Sequence, residues 1–500
     1  MYAFAGVMFA AIPFFAVDYV PAMDLPQHIA QIRLLRELWG LDPATIDTTQ
    51  LVARPFGANT LCYWPLLALS TLMPALDTAR LGLFAWIACA VVSLHALAWR
   101  RNRPPAHALL AGMLLFGIPL YWGFLNFVCG IGPFLWFCER ALRDRTVARN
   151  RVDVAIDAAL LLVLYLAHVL WFGCAAVLVC VVATRGVIKH RNVRDAALWL
   201  VCFAPLAIVI AVWLGGLSQE RAASGVELSA KYLAPISERL SLRWFAATLF
   251  GGLKGPFEPI AILCMIGYAL TVLLMSRRAQ QGGVDRGLAA IGFGFLVFAF
   301  IAPDKYLNTL AFNDRFLGCG VMFVLLALPA IEHRALTIFA MVVAFGFSLV
   351  TTAAWVVFDQ DDLRGLPESL ATLETIEKID KPRRLLELDY RKHSDIVRER
   401  PFMHLAAYAQ AEHGGELSFS FAEHRSSIVA YRGVHSVPWP SGLELSPELA
   451  QPRDIQAFDC VLVNGTPAQH SEFTARFALR SASHEGYFRL YWRSESYRAK

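Results

Sequence analysis

The sequence predicts an all-α polytopic membrane protein with about eleven transmembrane helices, followed by a small C-terminal extracytoplasmic α/β domain. Three observations carry that reading. First, the 500 residues are 57% hydrophobic and only 17% charged, with a mean hydropathy of +0.49, whereas soluble proteins carry about 25% charged residues. A soluble enzyme is thereby excluded. Second, apolar runs long enough to span a bilayer recur through the first 358 residues. Third, charge is uneven: 39 charged side chains fall within residues 359–500, against 46 in the 358 residues before them. The organisation that follows is a membrane part, 1–358, and a soluble part, 359–500. The net charge of +5 is small for this length and gives no sign of a nucleic-acid partner.

A spanning helix needs about 20 mostly apolar residues, because backbone amides find no water in lipid. Spans are expected near 1–20, 79–99, 106–123, 124–140, 152–168, 169–185, 195–214, 257–276, 287–302, 315–331 and 336–358. The first run lacks a basic leader and a cleavage site, so it reads as a transmembrane helix and not as a signal peptide. The run 61–76 is apolar but short, and it contains Pro65 and Pro74. Read as an interfacial helix, it leaves Arg100, Arg101, Arg103, Arg140, Arg143, Arg145, Arg149, Arg151, Arg185, Lys189, Arg191, Arg194, Arg277, Arg278, Arg286 and Arg334 in five short loops on one side. Basic loops stay cytoplasmic. The N-terminus is then inside, while the loop 21–78 and the C-terminal domain are outside. High Ala, Arg and Leu usage suggests a GC-rich bacterium, giving a multi-pass protein of the inner (plasma) membrane with a periplasmic tail.

The same topology gathers unusual polar residues on the outer face. Asp24 and His28 follow the first span, Asn126 sits between the third and fourth, and His168 between the fifth and sixth; the loops 215–256 and 303–315 join them. Polar groups at membrane depth are costly and mark sites or pathways. Asp24 is placed to cap the helix starting near Pro26, with His28 close to the same face. A partly desolvated carboxylate beside an imidazole suits a general base near neutral pH. The plainer reading is that Asp24 only caps the helix.

An Asp after the first span, an amphipathic helix from Gln27 to Leu38, a proline-bearing interfacial segment with Tyr63-Trp64-Pro65-Leu66, and Ala79-Arg80-Leu81 opening the second span follow in order. This order resembles the GT-C superfamily of integral membrane glycosyltransferases, which includes protein O-mannosyltransferases and lipid A aminoarabinose transferases. The resemblance covers roughly residues 1–358 and is most specific in 18–99. It implies a sugar moved from a polyprenyl-phosphate donor to an acceptor on the outer side of the membrane. It also implies that Asp24 matches the catalytic Asp of the first external loop, and that Arg315 matches a late basic residue on the donor phosphate. The sequence departs from the mannosyltransferase pattern, having a single Asp where that pattern has Asp-Glu; His28 is the stand-in.

Displacing a polyprenyl phosphate needs a base for the acceptor hydroxyl and positive charge for the leaving group. Asp24 supplies the first; Arg315, Lys305, Lys231 and Arg243 are candidates for the second, Arg being favoured for its bidentate fork. Arg315 equally suits a headgroup anchor. Asn126 and His168 either line a sugar cavity or bond a neighbouring helix. Tyr63 and Trp64, with Tyr121, Trp122 and Trp171, are expected at interface depth, as an aromatic belt or as faces for a sugar. The expected partners are the lipid bilayer, the lipid-linked sugar donor and a glycan, lipid or protein acceptor. No cofactor is predicted, and no motif indicates a metal, although a divalent ion is not excluded. A transporter or lipid-linked saccharide flippase is the competing class, and a non-catalytic envelope assembly protein the third. Charged residues are nearly absent from the middle of the predicted spans, which favours an enzyme over a transporter.

The soluble part reads as a helix over 367–379, a strand over 384–390, a second helix over 401–413 ended by Gly414-Gly415, a buried strand over 458–463 and a hairpin over 477–492 closing through His484-Glu485-Gly486. Its seven histidines have no metal-ligand spacing and read as scattered surface residues. Of the ten cysteines only Cys460 lies here, so no disulfide forms within it. Its expected role is accessory, covering the external site or contacting an acceptor.

Overall fold

A computed structural model describes residues 1–143, 150–190, 193, 194, 196–203, 211, 215, 230–279, 283–306, 309–375, 384–424, 426–433, 439, 440, 442–477, 479–482 and 486–492. The membrane part runs α1 (Tyr2–Ala16), α2 (Leu25–Leu38), α3 (Tyr63–Leu69), α4 (Ala75–Arg100), α5 (Pro105–Met113), α6 (Ile118–Tyr121), α7 (Leu125–Ala141), α8 (Arg151–Ala167) and α9 (Val169–His190). It continues through α10 (Ile236–Arg239), α11 (Leu242–Leu249), α12 (Phe257–Ala279), α13 (Arg286–Ile301), α14 (Arg315–Ala327) and α15 (Arg334–Val357). Among the described residues, four helices are long and apolar enough to cross a membrane: Ala75–Arg100, Val169–Ile188, Phe257–Arg278 and Arg334–Asp362. Outward-facing Leu263, Leu270 and Leu274 on α12 and Val342 and Phe345 on α15 are exposed, a surface that suits lipid.

Two expected spans differ from the structure. Residues 106–123 are not one helix: α5 has nine residues, roughly 14 Å at 1.5 Å per residue, and Pro119 then opens the four-residue α6. The second span starts at Ala75, directly after Pro74, and not near residue 79. The proline-bearing run 61–76 folds only as the seven-residue α3, too short to cross. The expected span 195–214 lies largely outside the described residues, as do parts of the loop 215–256.

Buried ion pairs tie the basic helix ends together. Arg101 and Arg103 both reach Asp285, at 2.7 and 3.7 Å, and Arg140 pairs with the fully buried Asp157. The helices α13 and α14 pack closely because glycines face each other: a Cβ on Gly292 would stand 2.9 Å from the Gly320 carbonyl oxygen. Small residues permit this approach between helices in lipid, and it fixes Arg315, the first residue of α14.

The tail holds a mixed sheet in the order β3-β2-β5-β7-β6, where β2 is Arg384–Asp389, β3 Glu416–Leu417, β5 Cys460–Asn464, β6 Arg480–Ser481 and β7 Phe488–Trp492. The strands β2 and β3 pair in parallel, as do β2 and β5, while β5 pairs antiparallel with β7. Side chains alternate across a sheet: Leu386, Leu388, Val461 and Val463 fill a separate small core, while Leu385, Cys460, Leu462 and Phe488 join the core shared with the membrane helices. One sheet face therefore docks on the membrane part. Around the sheet lie α16 (Leu366–Thr375), α17 (Ala407–His413), α18 (Pro452–Gln456) and α19 (Pro467–Phe477). The helix expected over 401–413 begins only at Ala407, while Gly414 and Gly415 end it with positive φ as expected. The far end of the 367–379 helix and the turn residues His484 and Glu485 lie outside the described residues.

The loop 21–78 and the tail interlock. Strand β1 (Leu51–Ala53) pairs antiparallel with β4 (Val429–Tyr431). Buried Gln27 on α2 donates to the Phe419 carbonyl at 3.0 Å and accepts from the Phe421 N–H at 3.1 Å, and Gln31 accepts from the Val429 N–H at 3.0 Å. Two glutamines on one helix face thus satisfy backbone groups of the tail segment 419–429.

Candidate active site

Asp24 is the residue before α2, but its side chain makes no capping hydrogen bond, contrary to the expected N-cap. Its backbone is held from the other side. Met23 and Asp24 N–H groups donate to the Tyr121 and Trp122 carbonyls at 3.0 and 3.1 Å, and Gly123 follows with φ +72°. A Cβ on Gly123 would lie 2.6 Å from the Asp24 nitrogen. The carboxylate is left to face a cavity of about 1140 Å³. Burial lifts its pKa to about 7, outweighing the opposing pull of the Arg315 charge.

His28, one turn along, has its N–H on the Asp24 carbonyl at 3.1 Å. Its Nδ1 lies 2.7 Å from the Tyr63 hydroxyl. Burial lowers its pKa to about 4, a hydrogen bond to the Gly123 backbone opposing this in part. At neutral pH it is an uncharged, oriented imidazole. Beside it, the Cys62 thiol bonds the Asn126 Oδ1.

The structure brings Asp24, His28, Asn126, His168 and Arg315 to one end of the cavity. His168 ends α8 with an extended backbone, and its Nδ1 accepts the Leu170 N–H at 3.1 Å, which leaves the proton on Nε2. Arg315 is 5% exposed. Its Nε donates to the Ala311 carbonyl at 3.2 Å and an Nη to that of Leu310 at 2.9 Å, with the guanidinium over the Phe124 ring at 3.5 Å. No carboxylate among the described residues forms an ion pair with it.

Other expected site residues lie elsewhere. Tyr63 is buried behind His28, its hydroxyl on the His28 Nδ1. Trp64 packs against Phe56 and Trp39, away from the cavity. Lys305 pairs its backbone with Lys231 and does not line the cavity, where Tyr306 does. Arg243 is exposed. Tyr121 and Trp171 are not belt residues: both are buried, with the Trp171 Nε1 on the Phe127 carbonyl at 2.8 Å and the Tyr121 hydroxyl accepting from Trp355 at 3.2 Å.

The tail forms the remaining wall, with Met403, His404, Phe419, Phe421, His424 and Glu444. The Nε2 of His404 lies 3.6 Å from Asp24 Oδ1. Burial, helped by the neighbouring His424 and His28, holds His404 down at about 3. The tail histidines are therefore not all surface residues: His404 and His424 line the cavity, and buried His470 bonds the Tyr491 hydroxyl at 3.0 Å. Nothing in the spacing of the tail histidines marks His404. The only sequence signal was Ser418-Phe419-Ser420-Phe421, two large apolar residues alternating with serines in a polar tail.

Below the polar end, the cavity continues as an apolar trough between Val177 and Val181 of α9, Ile291 and Phe295 of α13, and Phe134 of α7. Arg185 and Arg286 stand at its far end. Among the described residues no group of three or more His, Cys, Asp or Glu side chains is arranged to hold a metal ion.

No family model matches the sequence, and a search of curated proteins finds no match. Among solved structures, the chain is similar to ArnT from Cupriavidus metallidurans bound to undecaprenyl phosphate, with TM-score 0.55 and 12% identity over 97% of this chain and 96% of that one. The apo state of the same protein matches with TM-score 0.55 and 14% identity over 97% of each. At these identities the likeness is one of fold: the chain shares the fold of these structures over nearly its whole length.

Proposed function

We propose that this chain is a multi-pass membrane glycosyltransferase that moves a sugar from a polyprenyl-phosphate donor to an envelope acceptor at the outer face of the bacterial inner membrane. The observation that carries the reading is the cavity itself, in which an Asp with a pKa near 7 and an arginine that forms no ion pair among the described residues share the polar end of a long apolar trough. A polyprenyl chain fits the trough, and its phosphate the Arg315 guanidinium. The similar ArnT structure is one bound to undecaprenyl phosphate.

In this reading the acceptor hydroxyl gives its proton to Asp24 while its oxygen bonds the anomeric carbon; the bond from that carbon to the phosphate oxygen breaks, and polyprenyl phosphate leaves against Arg315. His28, an uncharged imidazole, and His168 orient hydroxyls. The scheme calls for no cofactor. A multi-pass topology with a cytoplasmic N-terminus and a periplasmic tail over 359–500 completes the proposal, supported by the clustering of the basic residues Arg101, Arg103 and Arg140 at helix ends.

The test is transfer of labelled sugar from polyprenyl-phosphate donors by the wild type and by Asp24→Asn, with folding checked by thermal melting. Transfer by the wild type and loss in a folded variant support the reading. Equal transfer by both removes Asp24 from the chemistry, and no transfer with any donor favours the transporter or assembly classes.

A further inference from the structure

The tail places one charged group on the cavity wall that this reaction does not use. Glu444 is 5% exposed and lines the cavity, and its Oε2 has no hydrogen-bond partner among the described residues. A buried carboxylate oxygen without a donor is costly. The surroundings add to that cost, because the acids Glu387, Asp389 and Glu423 lie near enough to repel it.

The tail's part of the same cavity wall is also aromatic. His404 stacks on Phe419 with ring centroids 4.8 Å apart, and Phe421 meets Phe419 and His28 edge-on at 6.0 and 5.3 Å. Apolar rings around a few convergent polar groups are the usual composition of a small-molecule site. A sugar ring matches both parts, with a C–H face to lie on a ring and hydroxyls at its edge to donate to a carboxylate.

We propose that Glu444, with Phe419 and Phe421, forms a subsite for a neutral sugar ring, the unpartnered Oε2 accepting hydrogen bonds from its hydroxyls. The proposal rests on the transferase reading. Its chemistry is shared by the sugar carried on the donor and by a sugar acceptor, and the two are separated by experiment.

The experiment uses the purified full-length protein and two binding series. The first compares bare polyprenyl phosphate with polyprenyl-phosphate glucose, mannose and galactose; the second titrates methyl glycosides of the same sugars. Glu444→Ala is expected to lose about tenfold or more of the affinity that the sugar contributes, with binding of bare polyprenyl phosphate unchanged. A loss in the first series assigns the subsite to the donor sugar, and a loss confined to the second assigns it to the acceptor. Glu444→Gln, which keeps the shape, is expected to lose part of the same affinity. Because Glu444 stands among like charges, neither variant is expected to melt below the wild type. The proposal is overturned if the variants match the wild type in both series, or if sugar adds no affinity to the wild type in either. Failure of the wild type to bind bare polyprenyl phosphate instead overturns the donor reading, and the glycoside series still decides Glu444.

Discussion

His404 of the tail stands with its Nε2 3.6 Å from the Oδ1 of Asp24, a residue of the loop 21–78. The contact joins the two parts of the chain at the candidate catalytic group. His404 holds a left-handed backbone, φ +72°, that a non-glycine residue rarely adopts, and Glu387 fixes the next turn by accepting the N–H groups of Leu405 and Ala406 at 3.0 and 3.2 Å. Strained residues of this kind cluster at functional sites.

Asp24 should govern the acid limb of the activity profile. With its pKa near 7, transfer is expected to fall as pH drops through 7. The folded state binds this proton more tightly than the unfolded chain, so Asp24 lowers stability as pH rises from about 4 to 7. Asp24→Asn is therefore expected to melt above the wild type at pH 8 and close to it at pH 4. Equal melting at pH 8 would contradict the buried setting of the carboxylate.

His404→Gly removes the imidazole and relieves the left-handed strain together. The expected result is a fold at least as stable, activity reduced about tenfold, and an acid limb moved to lower pH, because water replacing the imidazole relieves the burial that raises the Asp24 carboxyl. A pH–rate profile that keeps its midpoint would assign His404 to packing alone.

Arg315→Lys keeps the charge but loses the planar fork. Binding of polyprenyl phosphate is expected to weaken about tenfold or more, as measured by titration of the purified protein. The lipid-anchor role considered from sequence predicts no change.

Gly123→Ala places a Cβ against the Asp24 nitrogen at a residue of φ +72°. Misplacing a catalytic group by about 1 Å costs about a hundredfold, so activity is expected to drop on that scale. A variant with wild-type kcat would show that the Tyr121–Gly123 segment does not set the position of Asp24.

Gln27→Ala leaves the Phe419 carbonyl and Phe421 N–H unpaired between α2 and the tail. A cost of about 1–3 kcal/mol is expected, read as lower thermal stability together with faster proteolysis of the 419–429 segment. Destabilisation without any change in that segment would mean that the tail is held mainly by the shared apolar core.

The helices were legible because the demand that makes them is local: a chain in lipid must satisfy its own amides within a run of apolar residues. The strands β2 and β5 were legible for a similar reason, as short buried apolar runs with breakers around them. The interruption between α5 and α6 was missed because hydropathy averages over Gly117 and Pro119. Asp24, His28, Asn126, His168 and Arg315 line one cavity, and the sequence had grouped them because each lies next to the end of an apolar run and the alternation of loops sorts such ends onto one face. Trp64 and Lys305 obey the same rule yet point elsewhere, because loop position fixes a side and not a direction.

By itself, then, the sequence determined a membrane chain with a charged tail and the long apolar runs along it. All of these follow from composition within windows of about twenty residues. Only the tertiary structure decided that the tail closes the site, that His404 meets Asp24, that the buried Glu444 Oε2 has no hydrogen-bond partner among the described residues, and that Asp24 faces a cavity instead of capping α2. Those facts depend on contacts between segments distant in the chain, which are set by packing of the whole core and leave no local pattern to read.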